Sequence, residues 1–331
     1  MRVLATSEKA QFALTQLSQV QLYFVKKLEK LSTGTNFASV EWLRDNGEHG
    51  GGKRFEASSN VVFNRASVNV SQVQYESKPE KAFLSATALS TIIHPQHPLA
   101  PSIHIHVSWT ELKNGQQYWR LMADLNPAVE DVSDSKLFNE MLQQASGEYF
   151  DSGIKQGEQY FYIPSLNKHR GISHFYLEGF TGNEQTPKMF AVDFATKVID
   201  CYISLLAEKF SRLPPPSDTE LQQQLDYHTL YFYQVLTLDK GTTAGLLIHN
   251  QNDVGTLGSL PAYINRDLLA SWISLSDVDQ QPLVNELVEI LPKQKSVHIT
   301  PDIKVKIALA IREHYAKNKK PKVKDTKVKS N

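Results

Sequence analysis

The feature that most constrains the fold is the stretch 90–126, STIIHPQHPLAPSIHIHVSWTEL followed four residues later by QYWRLMADLN. Ser102 to Leu112 and Tyr118 to Leu125 read as two consecutive strands, because polar and apolar side chains alternate along them with the period of a half-buried strand. Successive strand residues point to opposite faces, so His104 and His106 of IHIHV share one face, and that face is polar. Four of the eleven histidines, His94, His97, His104 and His106, fall in this stretch. Packing alone does not account for that density.

Further strand-like runs lie at Asn60 to Tyr75, Gly171 to Phe180, Tyr227 to Leu238 and Thr243 to His249, the last two joined by the turn Asp239-Lys240-Gly241. Hairpins of this kind predict a largely antiparallel sheet. Leu17, Val20, Phe24, Leu28 and Leu31 recur at spacings of three and four, which predicts an amphipathic helix ending near Gly34. Helices are also predicted at Asp134 to Gln144, Phe190 to Arg212 before Pro214-Pro215-Pro216, Pro282 to Leu291 and Pro301 to Lys317. The chain therefore reads as α+β, a mainly antiparallel sheet with helices on both faces. No repeat or long linker divides its 331 residues, so one domain is expected over 1–316, followed by a lysine-rich, solvated tail over 317–331.

Composition narrows the function. The formal net charge is zero, which speaks against nucleic-acid binding by bulk electrostatics, so an anionic ligand must be met by local charge. The single cysteine, Cys201, excludes internal disulfides and CxxC metal sites, and sits among apolar neighbours as inert core. With no apolar signal core at the N-terminus and no apolar run near the roughly 20 residues that cross a bilayer, a cytoplasmic protein without a membrane span is expected.

Several side-chain groups carry chemistry. His104 shares its face with His106 and with Asp124 on the next strand, and a neutral histidine beside a carboxylate is an acid/base pair. A metal site at the four histidines is not expected, because Pro95 and Pro98 stiffen the backbone between His94 and His97 and no cysteine or carboxylate cluster stands nearby. His94 and His97 are read as loop histidines bonded to backbone. Arg170, in Lys168-His169-Arg170-Gly171, is either a bidentate clamp for a carboxylate or half of a surface salt bridge. Gly50-Gly51-Gly52-Lys53-Arg54 has an anion-cradling composition without the spacing of a nucleotide motif, and Ser90 lacks the G-x-S-x-G context of a hydrolase nucleophile.

Taken in order along the chain, these blocks resemble the oxygen-dependent coproporphyrinogen III oxidases. Glu41-Trp42 through the glycine run and VFNRASVNVS (Val62 to Ser71) are similar to that family's glycine run and VFEKAGVNVS block. Ser90 to His104 resembles its SSVIHPRNPHVPTIH, and Asp124-Leu125-Asn126-Pro127 its DLTP. Lys168 to Ile172, Asp239-Lys240-Gly241-Thr242 with Gly245-Leu246, and Ser259-Leu260-Pro261 with Trp272 resemble its later blocks. The resemblance implies a flat antiparallel sheet between helices, a homodimer, and a tetrapyrrole substrate in a cleft on the sheet. It also implies oxidation of two propionates to vinyl groups with molecular oxygen as co-substrate and no metal or organic cofactor. Carried over by position, Asp124 holds pyrrole N–H groups, His104 and Ser90 line the cleft, Arg170 holds a propionate, and Lys240, Gly241 and Thr242 belong to the substrate-binding turn.

The chain also departs from that pattern. The family's arginine four residues after the histidine of TIH is Ser108, the glycines before its aspartate are Arg120-Leu121-Met122-Ala123, and its RYVEFNLLY is Leu230 to Leu238. Arg65, Arg120 and Lys53 are the cations available to compensate. These losses frame an alternative, a diverged relative that binds a porphyrin or porphyrinogen without oxidising it.

Overall fold

The computed structural model describes residues 1–32, 35–58, 61–181, 187–248 and 252–317. In chain order the elements are α1 (Glu8–Leu31), β1 (Ala38–Leu43), β2 (Gly50–Ala57), β3 (Phe63–Gln74), β4 (Phe83–Pro95), β5 (Ser102–Leu112), β6 (Gln117–Asn126), α2 (Val132–Ser146), α3 (Phe150–Phe161), β7 (Ser173–Phe180), α4 (Pro187–Phe210), α5 (Asp218–Thr237), α6 (Lys240–Ile248), α7 (Asp253–Thr256), β8 (Tyr263–Asn265), α8 (Arg266–Ser271), α9 (Gln281–Ile290), β9 (Ser296–His298) and α10 (Pro301–Lys317). Strands β1 to β7 form one seven-stranded sheet in sequential order, every neighbouring pair antiparallel. Strands β8 and β9 form a small separate pair.

The alternation read from the sequence sorts the sheet into two unlike faces. Val68, Leu89, Ile93, Ile103, Ile105 and Val107 join Leu121, Leu125 and Phe175 on one face, packed against α1, α2 and α4. In α1 the buried stripe is Leu17, Phe24 and Leu28, each fully buried and each worth roughly 1.5–3 kcal/mol relative to exposure. Ser7 caps the helix by accepting from the Ala10 N–H.

The other face is polar, and the helices over it have their own core. Tyr231, Phe232 and Leu236 of α5 pack with α8, α9 and α10, and Ile92 is the one residue of the seven strands in that cluster. The His94 ring packs against Tyr227, His228 and Tyr231, which seats α5 over the end of β4. Farther along the same face Asn69, Ser71, Ala86, Ala88, Ser90 and His106 remain half-buried, so the C-terminal helices roof only part of it. The sheet thus lies between helices in a single α+β domain, as expected.

Two expected strands are helices. Tyr227 to Leu238 belongs to α5, whose start is set by a capping box between Ser217 and Glu220 directly after the proline run. Its residues from Tyr227 to Thr237 are buried all round, which erases the 3.6-residue period and leaves an aromatic, β-branched run that mimics a strand. Thr243 to Ile248 belongs to α6, and Asp239-Lys240-Gly241 is the start of that helix and not a hairpin turn. Asp239 accepts from the Thr242 N–H at 2.7 Å, the bond of an N-cap. His94 lies in β4 and not in a loop. Gly34, Asn60, His249 and the tail from 318 lie outside the described residues.

Candidate active site

Strand register brings the polar side chains into rows across the sheet. One row runs Arg54, Asn69, Ser90, His106, Met122, Tyr176, and the next runs Glu56, Ser67, Ile92, His104, Asp124, His174. His104 and Asp124 are direct partners on β5 and β6, with His104 Nδ1 2.8 Å from Asp124 Oδ1. Asp124 Oδ2 accepts from Arg170 Nη2 at 2.7 Å and from Asn126 Nδ2 at 2.6 Å. Burial would raise the Asp124 carboxyl, but Arg170 and His104, with the Asn126 hydrogen bond, hold it well below the ordinary carboxylate range.

Arg170 is buried, with its guanidinium between the rings of Phe161 and Tyr231 at 4.7 and 4.9 Å. Asp124 holds its proton affinity above the usual value despite burial. It is therefore half of a buried ion pair, and neither a surface salt bridge nor a free clamp. Gly171 makes the approach possible: its φ is +78°, and a Cβ there would lie 2.3 Å from Asn126 Oδ1.

Asp124 is 0% exposed and both its oxygens are engaged, whereas the His104 side chain is 16% exposed. The group that this cluster presents on the polar face is thus the imidazole. An Nδ1–H donated to the carboxylate leaves Nε2 as the free ring nitrogen. Beside it His106 is pushed down to about 3 by burial, with Arg120 and His104 adding to the effect, and stays neutral at physiological pH. Ser90 faces His106 across β4 and β5.

Lys240, Gly241 and Thr242 stand at the start of α6, at the β7 side of this face. Tyr160 stacks on Tyr176 at 4.6 Å and donates to Asp239 Oδ2 at 3.3 Å, which ties that helix start to the sheet. Burial pushes the Glu178 carboxyl up, but the Tyr176 hydroxyl and the Arg120 guanidinium, helped by Lys240, hold it below its usual value. Arg120 pairs with Glu178 and lies directly opposite Ser108 in the β5–β6 register. Arg65 is on the polar face, opposite His94. Lys53 points to the opposite face, its amine over the Phe55 ring.

His94 and His97 do not converge on the His104 pair. His94 bonds Ser102 Oγ at 2.9 Å and the Ser259 carbonyl at 3.2 Å, and His97 bonds the Pro214 carbonyl at 2.8 Å. Among the described residues no group of three or more histidine, cysteine, aspartate or glutamate side chains is arranged so that it could hold a metal ion. Sequence reading missed Asn126, Phe161 and Tyr231. Asn126 was within reach, since it lies two residues after Asp124 and so on the same face. The two rings come together only through the fold.

The model of the family described as coproporphyrinogen III oxidase matches residues 13–295. The chain belongs to the coproporphyrinogen III oxidase family. The chain is 27% identical over 305 residues to the oxygen-dependent coproporphyrinogen-III oxidase of Drosophila melanogaster, covering 84% of this chain and 76% of that protein. It is 26% identical over 241 residues to the enzyme so named from Rickettsia akari (strain Hartford), covering 68% and 83%. The mitochondrial protein of that name from Homo sapiens is 24% identical over 299 residues, and the match spans 82% of this chain and 64% of the human one. Within the coproporphyrinogen oxidase family this is thus a diverged sequence. No helix among the described residues is long and apolar enough to cross a membrane.

Proposed function

We propose that this member of the family oxidatively decarboxylates two propionates of coproporphyrinogen III to vinyl groups, giving protoporphyrinogen IX, with dioxygen as co-substrate and no metal or organic cofactor. The observation that carries the reading is the His104–Asp124–Arg170 cluster, which sets a polarised imidazole on a half-open polar sheet face. Each propionate loses carbon dioxide, one proton and two electrons as its side chain becomes a vinyl group, and dioxygen takes up the electrons. His104 Nε2 is the group placed to accept the proton, and Asp124 fixes the ring and stabilises the imidazolium. Arg170 keeps Asp124 ionised. The negative charge of Asp124 beneath His104 also suits pyrrole N–H groups above it. Ser90, Lys240, Gly241 and Thr242 border the same face and are assigned to substrate binding.

The test is aerobic incubation of purified protein with freshly reduced coproporphyrinogen III beside an oxygen-free control, with chromatography of the products. Oxygen-dependent protoporphyrin and its tricarboxylate intermediate are expected; unchanged substrate would overturn the oxidase reading. Ser108 in place of the family's arginine favours one alternative, a relative that binds the tetrapyrrole without oxidising it. Binding with no product in the same experiment would establish that. The reading carries a homodimer and a cytoplasmic compartment as further proposals, checked by light scattering and by cell fractionation.

A further inference from the structure

At the far side of the polar face, three cations gather around a single carboxylate. Arg54 and Glu56 project from β2 on that face and pair at 2.7 Å, Arg65 projects from β3 on the same face, and Lys304 of α10 is near enough for the charges of all three to act on its amine. Lys304 is 4% exposed, yet among the described residues its amine makes no hydrogen bond or ion pair. Arg65 likewise has no such partner among them, and its Nε is buried and unbonded. Burial pushes the Lys304 amine down to about 7, with Arg65 and Arg54 adding to the effect against Glu56, which places all four groups in one electrostatic neighbourhood. Burial also lowers Arg65. A Cβ at Gly255 would lie 2.3 Å from Arg54 Nη1, so the glycine leaves the guanidinium its place.

Buried cations are ordinarily paired, because desolvation is otherwise uncompensated. Here the buried Lys304 and the partly buried Arg65 are not. Arg54 lies in the same row as His106, three strands away, or about 14 Å at the spacing of paired strands. A ligand whose ring system spans that row would bring a carboxylate to this end when its reacting side chain lies at His104.

We propose that Arg54, Arg65 and Lys304 form a subsite that binds a carboxylate of the ligand held on the polar face. The bearer of that carboxylate, a propionate of a tetrapyrrole, rests on the function proposed above; the subsite itself rests on the unpaired cations. Glu56 already neutralises one of the three, so one incoming carboxylate offsets a second and lowers the net charge of the group from +2 to +1. Bidentate contact falls to the arginines and a point-charge contact to Lys304.

The experiment is titration of the full chain with coproporphyrin III, followed by fluorescence, for wild type, Arg65→Gln, Lys304→Met and the remote control Lys136→Gln. Both cluster substitutions remove an unpaired charge, so both variants are expected to fold. Each is expected to weaken binding by about ten- to a hundredfold, with the control unchanged. Wild-type affinity in both cluster variants would remove the subsite while leaving the tetrapyrrole reading intact. If wild type itself binds no coproporphyrin, the tetrapyrrole reading falls and succinate becomes the probe. A rise in melting temperature with millimolar succinate in wild type and control, absent from the two variants, sustains a carboxylate subsite; equal behaviour of all four proteins overturns it.

Discussion

His104 and Asp124 face each other across β5 and β6 with their side chains 2.8 Å apart, and the carboxylate is the fully buried member of the pair. The exposed partner is the one able to meet a substrate. Around this pair, burial and charge act in opposite directions: burial alone would neutralise Asp124, and Arg170 keeps it ionised.

Asp124→Ala leaves Arg170 buried without a counter-charge. Breaking a buried pair from one side costs about 3–5 kcal/mol, so a marked fall in melting temperature is expected. The double variant Asp124→Leu/Arg170→Met removes both charges and should recover much of that loss while remaining inactive. Asp124→Asn keeps the size but loses the anion that polarises His104, and turnover should fall by about 10²–10⁴. Full activity in Asp124→Asn would remove the acid/base role from the pair.

Acid should destabilise the protein earlier than carboxylate titration alone would bring about. Burial holds His228 at about 3, and burial with His228 and Arg170 nearby holds His94 well below its usual value. In the unfolded chain both titrate near 6.5, so below that pH the unfolded state binds more protons and stability falls, by about 1.4 kcal/mol per pH unit for each histidine. The stability is fully present above that value. Asp124 acts in the same direction at lower pH, since its carboxyl is depressed and its contribution disappears only as pH drops below about 4. Denaturant midpoints at pH 7, 6 and 5 measure the slope. In His228→Phe that slope should lessen, and an unchanged slope would mean that His228 is not held neutral.

Much of this site was legible because β-strands carry their chemistry at a fixed period. The run IHIHV placed His104 and His106 on one face, and a neighbouring strand with Asp124 in register needed only the antiparallel pairing that hairpins impose. Ser102 to Leu112 is observed as β5 with those bounds. The helix α5 was not legible, because burial on all sides removes the amphipathic signal that distinguishes helix from strand. Lys304 was hidden for a different reason. It lies on α10, more than two hundred residues from Arg65, and only the packing of that helix over the sheet brings the two cations together.

Lys304→Met tests the energetic side of the cation cluster. Burial lowers the Lys304 amine from its ordinary range to about 7, whereas in the unfolded chain it titrates near 10.4. Between those values the unfolded state binds the extra proton, so wild-type stability rises with pH through that window; below about 7 the folded state carries the full cost of a buried charge. Without ligand, the methionine variant should therefore melt above wild type at pH 6, and its advantage should shrink toward pH 10. Parallel melting curves across this range would show that the amine is not desolvated as the structure places it.

Ser108 and Arg120 allow a last test, because they are direct partners in the β5–β6 register and the family resemblance puts an arginine at the first position and glycine near the second. Arg120 pairs with Glu178, whose other oxygen accepts from Tyr176 at 2.7 Å, so its guanidinium is held on the polar face, in the row next to that of His106, by groups on the neighbouring strand. If Arg120 supplies the cation that Ser108 lacks, what matters is a guanidinium at this point of the sheet and not the strand that carries it. Arg120→Ser should weaken coproporphyrin III binding by about tenfold or more. Adding Ser108→Arg in the same chain should restore most of it, since the replacement side chain starts one strand away, about 5 Å, on the same face. Rescue of this kind separates a charge requirement from a packing one, because a serine-for-arginine cavity on β6 is not filled by growth on β5. Failure of the double variant to recover, with its fold intact by circular dichroism, would show that Arg120 acts through its pair with Glu178 and not as a carboxylate ligand.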